Sequence, residues 1–291
     1  MLSYDDITQR LVQWGEMQPD LRAVIVIGSR ARTHVPADRW SDLDLLLVTN
    51  ATQRYLDASD WLDELGPYWL TFLESTPTGG LKERRVLFEG ALDVDLIPVP
   101  VERFRQMLQE GFPPEVAGPL ALGARFVLDK DGLATQLRTP DAPPATEFPP
   151  REEQFLNLVN DFWYHAVWTT KKLLRGELWT ALGGHDYMRN SALLPMLAWH
   201  AKVRHGQDYE TWYAGRFVES WADTRAVQTL SKVFAHYDQH DIQRALLETM
   251  RLFAWLAATT AQHLGFSYPS EAERNVVNWV RREFATRQEE S

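Results

Sequence analysis

The chain has 291 residues, 45% of them hydrophobic and 24% charged, with a formal net charge of −10 and a sequence pI near 5.3. That length is ample for one compact core and comfortable for two. The absence of cysteine excludes disulfides, thiolate metal sites and a cysteine nucleophile, and the acidic balance disfavours nucleic acid while suiting a cationic ligand.

Met1 to Asp6 lacks the basic and apolar stretches of a signal peptide, and no window reaches roughly 18 uninterrupted apolar residues. Neither an export signal nor a membrane span is expected, and the location expected is cytoplasmic. Ser3 followed by Asp6 resembles a capping box and opens a helix running to about Met17. Ala23 to Ile27 is a β-branched apolar run that stops at Gly28 and reads as a buried strand. Leu43 to Val48 reads as a second strand, Trp61 to Leu65 as a short helix, and Tyr68 to Leu73 as a third strand. Gly79-Gly80 reads as a turn. Arg84 to Phe88 and Ala91 to Val99 form a hairpin around Glu89-Gly90, and Val101 to Gln109 is a helix. Arg125 to Leu128 is a short strand stopped by the turn signal Asp129-Lys130-Asp131-Gly132.

Thr139 to Pro150 carries prolines at 140, 143, 144, 149 and 150 and reads as an interdomain linker. Beyond it the apolar period becomes helical, as in Phe155, Leu158, Val159, Phe162 and Trp163. Further helices are expected over Tyr187 to Arg204, Phe217 to Trp221, Thr224 to Tyr237, Asp241 to Leu264 and Glu271 to Thr286. Most of the 12 tryptophans lie in this half and suit an aromatic helical core.

The chemistry concentrates in Val24-Ile25-Val26-Ile27-Gly28-Ser29-Arg30 and Ser41-Asp42-Leu43-Asp44-Leu45. Residues two apart on a strand share a face, so Asp42 and Asp44 present paired carboxylates. Buried carboxylates are costly unless a cation joins them, and hard oxygen ligands suit Mg²⁺ with phosphate oxygens. Gly28 lets backbone approach a phosphate; Ser29 offers its amide and hydroxyl, and Arg30 a charge-assisted contact. A third carboxylate has two candidates, Asp93 and Asp95, on one face of another strand. Either can complete a metal triad and accept a hydroxyl proton. The bland alternative for Asp42 and Asp44 is a solvated turn with a helix cap. No His-Glu-x-x-His, Rossmann or P-loop motif is present.

The ordered set of Gly-Ser, Asp-x-Asp and a distal strand Asp resembles the polymerase-β-like nucleotidyltransferases. The wording Gly28-Ser29-Arg30, Val35-Pro36-Ala37-Asp38, Asp42-Leu43-Asp44 and Leu92-Asp93 before Leu96-Ile97-Pro98 is similar to the aminoglycoside 6-adenylyltransferase (streptomycin adenylyltransferase) family. The likeness continues through Val127 to Asp131, Asn160-Asp161-Phe162-Trp163, Lys171, Arg175-Gly176-Glu177, Tyr268-Pro269 and Arg274-Asn275. It implies an α+β fold: a mixed-sheet nucleotidyltransferase domain over residues 1–145, then an all-α helical bundle over 151–291. It implies ATP as co-substrate, with two Mg²⁺ ions on Asp42, Asp44 and Asp93, and transfer of AMP to a small cationic aminoglycoside. The offset before Leu-Ile-Pro favours Asp93 over Asp95 as third acid and base. A basic residue of the helical domain is implied at the triphosphate, Lys171 first and Arg189 second, although Lys171 beside Lys172 otherwise reads as a solvated helix face. Asp161 and Glu177 are candidates for a substrate amine, against ordinary helix-surface roles. The chain departs from the family at Ala192-Leu193-Leu194, where an acid usually precedes the leucines. The same chemistry on a protein side chain or another small molecule, or a non-catalytic nucleotide sensor, are the alternatives.

Overall fold

The computed structural model describes residues 1–32, 37–76, 80–138, 140 and 148–290. Val35, Pro36, Gly79 and the linker positions Thr139 and 141–147 lie outside the described residues. The chain divides into two compact units, Met1–Pro143 and Pro144–Ser291.

The first unit opens with α1 (Tyr4–Glu16), capped as Ser3 and Asp6 lead one to expect: the Ser3 amide donates to Asp6 Oδ2 at 2.9 Å and the Asp6 amide to Ser3 Oγ at 3.2 Å. It continues through β1 (Leu21–Ile27), β2 (Leu43–Thr49), α2 (Thr52–Asp57), β3 (Tyr68–Ser75), β4 (Lys82–Phe88), β5 (Leu92–Pro100), α3 (Val101–Glu110), α4 (Pro114–Leu122) and β6 (Ala124–Asp129). The strands form a six-stranded mixed sheet in the order β3-β4-β5-β2-β1-β6. Among the described residues only β2 and β5 run parallel; the other neighbours are antiparallel.

Alternation divides the strand side chains between two cores. Val24, Val26, Leu43, Leu45, Leu47, Val94 and Leu96 pack with Ile7, Leu11 and Trp14 of α1 and Tyr55 of α2. On the opposite face Ile25, Ile27, Leu46, Val48, Ile97 and Val99 pack with Phe104 and Met107 of α3 and Leu120 of α4. Asp44 and Asp95 share that second face by parity, where β2 and β5 begin.

The second unit is all helix among the described residues: α5 (Glu152–Leu174), α6 (Leu178–Tyr187), a π-helical segment (Met188–Leu193), α7 (Leu194–His205), α8 (Val218–Trp221), α9 (Thr224–Leu230), α10 (Gln239–Leu264) and α11 (Ser270–Glu290). Its core centres on aromatic contacts, with Phe162 and Phe253 stacked at 3.7 Å and Trp163 edge-on to Phe162 at 5.1 Å. The helix expected over Thr224 to Tyr237 stops at Leu230. Arg244 of α10 takes up the Lys232 and Phe234 carbonyls at 2.7 and 3.0 Å, so a tertiary donor replaces the helical ladder there. The helix expected from Tyr187 instead begins at Leu178 and widens into π geometry. Trp61 sits in a 3₁₀ turn, Asp60–Glu64. No described helix is long and apolar enough to cross a membrane.

Candidate active site

β1 ends at Ile27, paired with Asp44, and the chain turns through a 3₁₀ segment, Gly28–Arg30. Gly28 has φ +68°, a left-handed conformation that side chains disfavour. A Cβ there would lie 2.4 Å from Asp44 Oδ2, so the missing side chain is what seats the carboxylate against the turn. Gly28→Ala is therefore expected to shift Asp44 and cut turnover by about 10²-fold, since displacements near 1 Å carry that effect. Steady-state kinetics alongside a melting curve check this; full activity in a folded variant shows that the contact is irrelevant.

Ser29 follows, its hydroxyl 3.4 Å from the Asp42 carbonyl, a weak contact. Arg30 departs from the expectation of a phosphate ligand. Its Nε donates to the Asp42 and Ser41 carbonyls at 3.0 and 3.2 Å, and its Nη2 to those of Ser41 and Asp38 at 2.7 and 3.3 Å. The guanidinium also lies 3.7 Å from the centre of the Tyr4 ring. Its donors converge on the chain entering β2, so Arg30 fixes the main chain at Asp42. The Tyr4 hydroxyl accepts the Asp93 amide at 3.2 Å, linking α1 to the start of β5.

The parallel register sets Asp44 beside Asp95, with Leu43 beside Val94. Asp42, Asp44 and Asp95 each offer a carboxylate oxygen within 4.8 Å of the others. Asp95 is the inner acid of β5, and Asp93, the acid that the Leu-Ile-Pro offset favours, is the outer one. Asp93 lies on the same face nearer the strand start and is exposed, whereas Asp95 is 4% exposed. Asp93 stays close enough for the charge of Asp42 to act on it.

Burial dominates the electrostatics. It pushes the Asp44 carboxyl up to about 7, helped by the charges of Asp42 and Glu83 and opposed by Arg85. Asp95 is also pushed up to about 7 by burial, with Arg85 opposing and Asp44 adding. Asp93 is raised too, by burial first, against the pull of Arg85. Arg85 and Glu83, on β4 opposite β5, were not anticipated. Arg85 Nη2 lies 3.4 Å from Asp95 Oδ2, and its Nε 3.1 Å from the buried Glu83 and 2.9 Å from Glu74. The charge run Lys82-Glu83-Arg84-Arg85 in a strand was the available signal. An all-oxygen cluster beside the Arg85 guanidinium fits a hard divalent ion: among the described residues Asp95 Oδ1 is buried without a hydrogen-bond partner.

Lys171 and Arg189 belong to the helical unit. Lys171 is exposed in the last turn of α5, 5.9 Å from the Trp279 ring centre. Arg189 is engaged within the bundle. Its Nη1 lies 3.3 Å from both His185 Nδ1 and the Val233 carbonyl, its Nη2 pairs with Asp186, and its guanidinium covers Phe234 at 4.3 Å. Donors held in this way anchor the π-helical segment and do not suit the triphosphate contact expected of them. Glu177 is paired with Lys172 at 2.9 Å and Arg175 at 2.7 Å, and Asp161 with His165 at 3.2 Å. Ala192 is fully buried in the bundle core.

The streptomycin adenylyltransferase family model matches residues 1–283. Aminoglycoside 6-adenylyltransferase of Bacillus subtilis (strain 168) is 21% identical over 87% of this chain and 88% of that protein. The Campylobacter jejuni protein of that name is 20% identical, over 97% of this chain and 96% of its own, and the Staphylococcus aureus one 18%, over 98% and 99%. A likeness that runs from α1 well into α11 takes in the Gly-Ser turn, the acidic face and the helical unit together, and the chain belongs to the streptomycin adenylyltransferase family, a class of nucleotidyltransferase enzymes.

Proposed function

We propose that this chain transfers AMP from ATP to a hydroxyl of a small cationic aminoglycoside, streptomycin-like, and releases pyrophosphate. The observation that carries the reading is the paired Asp42 and Asp44, seated on the Gly28 turn, in a chain whose family match extends over residues 1–283. Residues 1–145 act as the nucleotidyltransferase domain and 151–291 as the helical domain. Asp42 and Asp44 would hold Mg²⁺, which when bound neutralises charge on the phosphates.

The Gly28 and Ser29 amides and the Ser29 hydroxyl receive phosphate oxygens. Asp93, exposed at the rim of the acidic face, accepts the proton of the acceptor hydroxyl. The hydroxyl oxygen bonds to the α-phosphorus, the bond to the α–β bridging oxygen breaks, and pyrophosphate leaves with that electron pair. Lys171, exposed and cationic, is the residue of the helical domain assigned to the triphosphate. Arg189 is withdrawn from that role by its contacts inside the bundle. The net charge of −10 favours a cationic acceptor, and the names of the curated relatives support the acceptor class.

The test is pyrophosphate release from ATP and Mg²⁺ across an aminoglycoside panel, with mass spectrometry of the products. Streptomycin or a relative is expected to gain one AMP. Release only with a protein acceptor would move the substrate class, and ATP binding without release for any acceptor would leave a nucleotide sensor.

A further inference from the structure

α5 carries aromatic residues on two of its sides. Phe155, Phe162 and Trp163 are buried in the bundle core. Tyr164, His165 and Trp168 stand three, four and seven positions after Asp161 and so share its side of the helix. Burial does not account for this second stripe: Tyr164 is 66% exposed, and Asp161, His165 and Trp168 are half-buried. Tyr187, in the last turn of α6 and 43% exposed, closes on it with its ring centre 4.4 Å from that of His165. The Tyr164 ring stands edge-on to His165 at 5.3 Å. At the far end of the stripe the Trp168 ring already holds a cation, Lys172 Nζ at 5.3 Å.

Asp161 and Glu177 both suit a cationic ligand by residue type, and their surroundings separate them. Glu177 is held by Lys172 at 2.9 Å and Arg175 at 2.7 Å, so its charge is already met. Among the described residues the one ion-pair partner of Asp161 is His165, Oδ1 to Nδ1 at 3.2 Å, with no Lys or Arg. That Nδ1 also lies 3.0 Å from the Asp161 carbonyl. Both neighbours only accept, so Nδ1 carries the proton, and Nε2 of the neutral ring is an acceptor. The charge of Asp161 reaches the Tyr187 hydroxyl and raises it above its ordinary value. A carboxylate unmatched by Lys or Arg, an imidazole acceptor and two tyrosine rings thus make one patch, and acceptors beside π-faces are what an ammonium or guanidinium binds. The π-helical segment Met188–Leu193 begins directly after Tyr187, and widened turns of this kind concentrate at functional sites.

We propose that Asp161, His165, Tyr164 and Tyr187 form a subsite of the helical unit for a cationic nitrogen group of the acceptor. The Asp161 carboxylate and His165 Nε2 accept its N–H groups, and the tyrosine rings cover it. This rests on the aminoglycoside reading of the chain. The subsite binds and orients; no proton and no phosphoryl group passes through it. A contact made alike in the ground and transition states lowers the acceptor KM and leaves kcat alone.

The test is steady-state kinetics of the full chain with ATP, Mg²⁺ and the aminoglycoside that it modifies fastest, with calorimetric titration of the same compound. Wild type, Asp161→Asn, Tyr187→Leu and Glu177→Gln are compared. Far-UV circular dichroism confirms the fold of each, with Asp161→Ser as substitute should Asp161→Asn not fold. Asp161→Asn is expected to raise the acceptor KM and Kd about tenfold or more, as the loss of a charge-assisted contact does, with the KM for ATP within about twofold. Tyr187→Leu should raise both acceptor constants about threefold, and Glu177→Gln should leave them unchanged. Added salt should weaken acceptor binding more steeply in the wild type than in Asp161→Asn, a difference that a merely structural Asp161 would not produce. Wild-type acceptor constants in Asp161→Asn, or an equal rise in Glu177→Gln, overturn the subsite alone. A wild type that modifies no aminoglycoside overturns the functional reading beneath it.

Discussion

Asp93→Asn is expected to lower turnover by about 10³-fold while ATP binding stays within a small factor of wild type, because positioned proton acceptors contribute roughly 10²–10⁴. The substitution keeps shape and removes only the ability to take a proton. The backbone amide of Asp93 still donates to Tyr4, so the start of β5 is undisturbed. Asp42, Asp44 and Asp95 remain intact around their own cluster. A group that acts on the reacting hydroxyl alone should depress kcat and kcat/KM together and leave the nucleotide dissociation constant alone. The pH profile adds a separate readout. Asp93 is held above the usual carboxylate range by burial, with Arg85 opposing, so the acidic limb of kcat/KM should lie above that range in the wild type. It should vanish in Asp93→Asn. Near-normal turnover in the variant would remove Asp93 from the base role.

The sheet and the position of the site were legible because their signals are local. An apolar run ending in Gly-Ser, and an Asp-x-Asp opening another apolar run, each carry their face and their depth within a few residues. What separates Asp93 from Asp95 is not local. Both share a face, and their difference in depth follows from the β2–β5 register and from where α3 and α4 cover the sheet. Arg30 and Arg189 show the same limit. Each has the residue type of an anion ligand, yet its donors are claimed by carbonyls 8 to 12 and 44 positions away. The helix α4 was missed because Pro113, Pro114 and Pro119 argue against it, although proline at a first turn is well tolerated. α6 carries Gly183-Gly184, a weak helical signal. A Cβ on Gly184 would sit 2.6 Å from the Trp168 ring, so the glycine serves a close helix crossing that no single-helix pattern discloses.

Acid should destabilise the helical unit before it titrates ordinary carboxylates, through two histidines buried without charge. His185 is fully buried between α6 and α10, with Nε2 2.8 Å from Thr249 Oγ1 and Nδ1 3.3 Å from the Arg189 guanidinium. Arg189 can only donate, so Nδ1 accepts and Nε2 carries the proton toward Thr249. Protonation would set an N–H against a guanidinium. Burial, then Arg189, pushes His185 down to about 3 from an ordinary 6.5. His200, fully buried beside the Trp255 ring at 4.9 Å with neither nitrogen hydrogen-bonded among the described residues, is pushed down to about 4, chiefly by burial. Between the unfolded and folded values the unfolded chain binds more protons, so stability is lost as pH falls below about 6.5 and the loss levels off only beneath the folded values. Each histidine should withdraw about 1.4 kcal/mol per pH unit in that window, hence about 2 kcal/mol each at pH 5. Together that is a large part of an ordinary domain's 5–15 kcal/mol. Denaturant titrations of the full chain from pH 7.5 to 5 measure the slope. His200→Phe, which keeps an aromatic ring and removes the titration, should flatten it by about 1.4 kcal/mol per unit. An unchanged slope would mean that His200 is not held neutral by the core.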